Sequence, residues 1–201
     1  MIRVLIAEDQ AMFRTAIRRL LELETDIKVV AEVARGDHVV EAARRSEAEV
    51  ALVDIEMPGI DGLTVVAELR LALPSCRAVV VTTFGRPGFL QRAMAAGAAG
   101  FISKDASPEV LAETIRRAAA GEKVVDPGLA ATAMRIGASP LSGREREVLA
   151  ATTSGATVAE IARTLHLSEG SVRNRISGAI SKLGARNRAD AVRIASESGW
   201  L

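Results

Sequence analysis

Val50-Ala51-Leu52-Val53-Asp54-Ile55-Glu56-Met57-Pro58-Gly59 reads as a buried strand running into a loop. Its first four residues are apolar without a break, which suits a short strand buried on both faces. The run ends in an acid, and Pro58-Gly59 then forces a turn. Asp61-Gly62 follows, and a helical pattern starts at Gly62. Strand, turn and helix in that order are half of a βαβ unit.

The same alternation extends in both directions. Strand-like runs stand at Arg3–Ala7, Lys28–Val33, Val50–Val53, Ala78–Val81 and Gly100–Ser103. Amphipathic stretches lie near 12–24, 37–47, 62–71, 88–96 and 107–120. Five strands alternating with five helices predict a doubly wound α/β domain over residues 1–120, a five-stranded parallel sheet with helices on both faces. Beyond residue 142 no strand-like run appears. Four helical stretches are separated by Ser154-Gly155, His166-Leu167-Ser168 and Gly184-Ala185, so residues 140–201 read as a small all-α domain. Between them, 121–139 carries Gly121, Pro127, Gly128 and Gly137 and reads as a linker, with Leu129–Arg135 able to form a helix.

Composition excludes several classes. The 201 residues hold 26 Lys+Arg against 25 Asp+Glu, and 49% are hydrophobic, so the chain is neither disordered nor supercharged. Aromatics are 2%, too few for a platform that stacks single-stranded nucleic acid. One cysteine, Cys76, and two histidines exclude an internal disulfide and a zinc finger. Cys76 and His38 read as structural or surface residues, His166 as a turn residue, and Trp200 as packing for the last helix. The longest apolar run, Ala93–Ile102, is half the ~20 residues a membrane span needs. The first residues lack the apolar length of a signal peptide. A cytoplasmic protein without membrane insertion is expected. Residues 139–201 carry nine basic and six acidic side chains, and the rest of the chain is net negative, a weak pointer to DNA.

In open parallel sheets ligands bind at the carboxyl ends of the strands. Glu8 and Asp9 follow the first strand, Asp54 the third, Thr82 and Thr83 the fourth, and Lys104 the fifth. The second leads to Ala34-Arg35-Gly36, with nothing reactive. Singly, each has an ordinary role as a turn, cap or solvated residue. Together they are specific. Three converging carboxylates repel unless a cation lies between them, and an oxygen-only set suits Mg²⁺. A lysine and a hydroxyl at the same point suit a phosphoryl group.

Val53-Asp54-Ile55-Glu56-Met57-Pro58-Gly59, with Asp61-Gly62, resembles the phosphoacceptor loop of bacterial response-regulator receiver domains. The 22-residue interval from Thr82 to Lys104 matches that family, and Phe101 falls at its switch aromatic. The resemblance implies strand order 2-1-3-4-5, with Asp54 as nucleophile for a phosphoryl group from a sensor histidine kinase. It implies Mg²⁺ held by Glu8, Asp9, Asp54 and the backbone carbonyl of Glu56, and phosphoryl oxygens met by Lys104 and Thr82. On phosphorylation Phe101 is expected to turn inward. Glu8 replaces the more common Asp, and Asp105 replaces a proline after Lys104, leaving that peptide's isomer open.

In the helical region Ser168 is a good N-cap, and Val172, Ile176, Ala179, Ile180 and Leu183 form one stripe. The other face carries Gly170, Arg173, Asn174, Ser177, Gly178 and Ser181. Arg pairs with guanine edges and Asn with adenine edges, and small neighbours let a helix sit deep in the major groove. A helix near Thr157–Leu165 precedes it, a helix-turn-helix layout. A docking helix with a solvated face fits the same pattern. Leu141-Ser142-Gly143-Arg144-Glu145-Arg146-Glu147-Val148-Leu149, Glu160-Ile161-Ala162 and Ser171-Val172-Arg173-Asn174 resemble the LuxR/NarL-type DNA-binding domain. That resemblance implies Arg173, Asn174 and Ser177 at the bases and Thr157, Ser168, Ser171, Arg175, Lys182 and Arg188 at phosphates. Arg175 stands where many members have His, and Val158-Ala159 where many have Asn-Lys.

The whole chain resembles NarL/FixJ-type two-component response regulators. Ile6–Gln10, Asp54–Gly59 and Thr83–Phe89 are similar to regulators of a lipid-desaturase gene. The implied function is phosphorylation-dependent homodimerisation and binding to double-stranded promoter DNA, by a transcription regulator and not an enzyme. The first helix, with Met12, Phe13, Ala16, Ile17, Leu20, Leu21 and Leu23, carries more apolar residues than one buried stripe requires, enough for a partner face. Two other classes stay open at this point: a Mg²⁺-dependent aspartyl-phosphate phosphohydrolase with Glu56 as second acid, and a DNA-binding protein with a vestigial pocket.

Overall fold

The computed structural model describes residues 1–83, 87–136 and 139–201. Phe84, Gly85 and Arg86, which carry part of the narrower resemblance, and the linker residue Gly137 lie outside the described residues. The chain divides into two compact units, with its main break between Thr132 and Ala133.

The first unit is a parallel sheet of β1 (Ile2–Ala7), β2 (Ile27–Val33), β3 (Val50–Asp54), β4 (Arg77–Thr82), β5 (Gly100–Ser103) and β6 (Val124–Val125), in the order β2-β1-β3-β4-β5-β6. Its helices are α1 (Ala11–Leu21), α2 (Val39–Ser46), α3 (Gly62–Ala72), α4 (Pro87–Ala96) and α5 (Pro108–Ala119), and α6 (Pro127–Ile136) follows β6. Every residue of β3 is buried, which is why Val50–Val53 shows no alternation. On one face Val4, Ile6, Val50, Leu52, Val79, Val81 and Ile102 pack against Ile17, Leu21, Leu111 and Ile115 of α1 and α5. Full burial of each such side chain is worth about 1.5–3 kcal/mol, so this layer fixes the register of the strands.

The five expected strands are present, and the sheet has a sixth. Two valines between Gly121 and Pro127 are too short for a readable pattern. Their partner is the open edge of β5: Val124 N–H donates to Ala99 at 2.8 Å and Asp126 N–H to Phe101 at 3.2 Å. The expected linker therefore contains β6 and all of α6. The first helix stops at Leu21, three residues short of expectation, and leaves Leu23 exposed beyond its end.

The turn after β2, unreactive in sequence, supports the loop after β3. Gly36 N–H donates to the Pro58 carbonyl at 3.0 Å, and a Cβ at Gly36 would collide with the Ile60 carbonyl. Asp61 caps α3 by accepting from Leu63 and Thr64 N–H. Gly62 lies against the Asp54 carbonyl, with no room there for a Cβ. The loop after β3 is thus clamped at both ends by close backbone approach.

The second unit is α7 (Gly143–Ala151), α8 (Val158–Thr164), α9 (Glu169–Leu183) and α10 (Arg188–Glu197). Capping boxes at Ser142/Glu145 and Thr157/Glu160 start α7 and α8, and Ser168 caps α9. Leu141, Leu149, Ala179, Ala191 and Ala195 form one core, with Trp200 packed on it. Val148, Ile161, Ala162 and Val172 form the other. Adjacent Val148 and Leu149 thus join α7 to both partners. His166 adopts a positive φ of 52° in the turn between α8 and α9. No helix among the described residues is long and apolar enough to cross a membrane.

Candidate functional site

The order of the sheet reverses direction between β1 and β3, and the crevice at their carboxyl ends is where such folds bind ligands. Glu8 and Asp9 leave β1, Asp54 ends β3, Thr82 ends β4 and Lys104 follows β5. One carboxylate oxygen from each of Glu8, Asp9 and Asp54 lies within 4.8 Å of the others. Glu8 and Asp54 are buried and Asp9 is exposed, so the group opens to solvent on one side.

Lys104 crosses this group. Its Nζ lies 2.6 Å from Glu8 Oε2 and 3.1 Å from Asp54 Oδ2, and its side chain is 4% exposed. The Lys104 backbone is anchored by its N–H to the Thr82 carbonyl at 2.7 Å. The second oxygens of the acids are held too: Asp54 Oδ1 accepts from Ile55 N–H at 2.8 Å and Glu8 Oε1 from Gln10 N–H at 3.1 Å. Burial pushes the Glu8 and Asp54 carboxyls above their ordinary range, against the opposing pull of Lys104. Burial works to lower the Lys104 ammonium, and its hydrogen bonds to both carboxylates outweigh that and raise it. The converging donors of Glu8, Asp9 and Asp54 are all hard carboxylate oxygens, which fits Mg²⁺ in its donor set.

Phe13 belongs to this site, and the sequence offers no sign of it beyond an apolar helix position. Its ring lies 4.6 Å from Lys104 Nζ. Both residues line a small cavity between α1 and α5. Phe101 is buried, at 1% exposure, and pairs with Val80 of β4 and Val125 of β6. Among the described residues no peptide bond is cis, including that between Lys104 and Asp105. Glu56 is exposed and lies outside the converging carboxylates, so it is not placed as a second acid.

In the second unit, α9 presents Arg173, Asn174 and Ser177 exposed on one face, with Ser181 and Lys182 one turn on. Gly178 does not belong to that face. It lies against α7, where a Cβ would come within 2.9 Å of Glu145 Oε1. Arg173 pairs with Glu169 at 2.5 Å. Both donors of Thr157 are engaged by Glu160, each at 2.8 Å. Ser168 Oγ accepts Ser171 N–H and bonds its hydroxyl at 2.9 Å. Lys182 Nζ pairs with Glu145 at 2.7 Å. Arg175 is half-buried, its Nε unpartnered among the described residues, beside Ser142, Glu145, Ser171 and Asn174. Arg188 is exposed at the start of α10.

Residues 4–116 match the response regulator receiver domain family, and residues 139–195 match the bacterial regulatory proteins of the luxR family. The chain is 42% identical over 201 residues, all of both chains, to the uncharacterized transcriptional regulatory protein YvfU of Bacillus subtilis (strain 168). It is 40% identical, again over all of both, to the transcriptional regulatory protein DesR of the same organism. The solved RcsB–DNA complex is similar with a TM-score of 0.66 and 26% identity, covering 98% of each chain. The carboxylate–lysine cluster at the sheet's reversal point and the helix-turn-helix beyond it thus stand on a chain that belongs to the response regulators joining a receiver domain to a luxR-type DNA-binding domain, which regulate transcription and are not enzymes.

Proposed function

We propose that Asp54 accepts a phosphoryl group from a sensor histidine kinase and that the phosphorylated chain dimerises and binds promoter DNA through α9. The observation that carries this reading is the position of Asp54, buried at the end of β3 with Lys104 Nζ at 3.1 Å and two further carboxylates beside it. A carboxylate oxygen of Asp54 attacks phosphorus, a P–O bond forms, and the bond to the donor atom breaks, releasing the donor with its electron pair. Such transfer needs positioning and charge neutralisation more than proton chemistry. Glu8, Asp9 and Asp54 would hold Mg²⁺, with the Glu56 carbonyl as a further oxygen. The ion would supply positive charge to the phosphoryl oxygens. Lys104 and Thr82 meet those same oxygens, and Lys104 exchanges a carboxylate partner for phosphate. Arg173, Asn174 and Ser177 face the bases, while Ser168, Ser171, Arg175, Lys182, Thr157 and Arg188 serve phosphates. At Thr157 and Lys182 a phosphate has to compete with Glu160 and Glu145.

A second copy is the partner proposed for α1. Met12 is 87% exposed, and Leu20 and Ala16 line the cavity shared with α5. Single exposed apolar residues are ordinary, and a continuous set beside an apolar cavity is not.

Intact mass after incubation with acetyl phosphate and Mg²⁺ tests the acceptor. The wild type gains one phosphoryl group and Asp54→Ala gains none. No gain in the wild type, with beryllofluoride also failing to change its size by light scattering or its DNA affinity, would favour a vestigial pocket. Met12→Lys with Leu20→Lys keeps the mass gain and loses the dimer. A dimer that survives both substitutions places the interface elsewhere.

A further inference from the structure

We infer that Glu169 sets the sequence discrimination of α9 by holding Arg173, an inference that rests on Arg173 facing the bases. Glu169 is the first residue of α9, and Arg173 lies one turn later on the same side. Their side chains meet at 2.5 Å, and both are about half exposed. Arg173 is the sole ion-pair partner of Glu169 among the described residues. Capping does not explain the pairing, because Ser168 already accepts the Ser171 N–H.

A free guanidinium at this position would pair with any phosphate of any duplex, adding affinity without information. Glu169 competes for that guanidinium on every sequence. It also faces the phosphates as a like charge, which weakens all complexes. A guanine edge presents O6 and N7 side by side and takes two parallel N–H bonds. Arg has five donors in a rigid fork, so one edge can stay on Glu169 while the other reads the base. The pair therefore disfavours phosphate capture and favours one orientation for base reading. Glu169 is a positioning residue that acts through Arg173.

The test uses the full chain treated with acetyl phosphate and Mg²⁺, and duplexes with about twenty randomised base pairs, roughly two helical turns. Selection and sequencing give the base preference at each position for the wild type, Glu169→Ala, Arg173→Ala and the double variant. Thermal melts check that all four fold. Arg173→Ala is expected to erase the preference at one position per half-site, on the order of tenfold. Glu169→Ala is expected to weaken that same preference about threefold, the scale of an exposed pair, while tightening binding to a scrambled duplex. In the Arg173→Ala background, removing Glu169 changes no base preference. If Glu169→Ala shifts affinity for all duplexes by one common factor, the inference fails and the Arg173 assignment stands. If Arg173→Ala leaves every preference intact, the Arg173 assignment fails and takes the inference with it.

Discussion

The ring of Phe13 lies beneath the ammonium of Lys104, its centroid 4.6 Å from Nζ. This places an α1 residue in direct contact with the ammonium that bridges Glu8 and Asp54. A phenyl face attracts a cation by about 0.5–2 kcal/mol, more as water is excluded. Phe13→Ala is expected to slow phosphorylation by acetyl phosphate roughly fivefold, corresponding to about 1 kcal/mol of lost positioning. Phe13→Leu keeps the packing without the ring and should fall between. Initial rates of mass gain measure both, and equal rates in all three proteins would assign Phe13 to packing alone.

Removing the cation has the opposite sign from adding one. Lys104 is 4% exposed and bridges Glu8 and Asp54. Lys104→Met leaves buried like charges facing each other, a loss of about 3 kcal/mol or more. Mg²⁺ should recover part of it by binding the folded state only. The expected result is a larger Mg²⁺-induced rise in Tm for the variant than for the wild type, read by melts with and without chelator.

Glu145 ties the start of α7 to α9. It accepts from Ser142 N–H and hydroxyl and from Lys182, and those bonds, led by Lys182, lower its carboxyl to about 2. A depressed carboxylate contributes stability above its unfolded pKa and loses it as pH falls toward the folded value. The wild type should therefore lose this contribution between about pH 4.5 and about pH 2. Glu145→Gln should be less stable at neutral pH and converge on the wild type in acid. A difference in Tm that is independent of pH would contradict the assignment.

Gly178 sits in the interior of α9, where alanine is normally better by about 1 kcal/mol. Here an alanine Cβ comes within 2.9 Å of Glu145 Oε1. The carboxylate is held from two helices and cannot swing away without losing hydrogen bonds worth about 1 kcal/mol or more each. Gly178→Ala is expected to destabilise by about 1 kcal/mol, and to stabilise by about the same amount once Glu145 is alanine. Urea unfolding of the four proteins decides the sign.

The strand-end acids and Lys104 were legible because each follows an apolar run, and a parallel sheet brings those ends together. The buried stripe of α9 was legible for a similar reason, since it obeys one period. Phe13 was not, because a residue on an apolar helix looks the same whether it meets leucine or an ammonium. Gly178 was misread for want of its neighbour: Glu145 lies 33 positions earlier in the chain, and nothing local links them. Gly36 looked inert after β2 because its role is to leave space for the Ile60 carbonyl, and an absent side chain carries no chemical signature.

The two-residue strand β6 has a practical weight beyond its length. A receiver cut after Ala120, where the last long helix has ended, would strip the partners from the Ala99 and Phe101 carbonyls. It would also turn β5 into an open edge with Phe101 on it, a template for sheet-to-sheet pairing between chains. Fragments ending before Val124 should aggregate or form edge-paired oligomers unrelated to phosphorylation, whereas fragments that retain Asp126 should not.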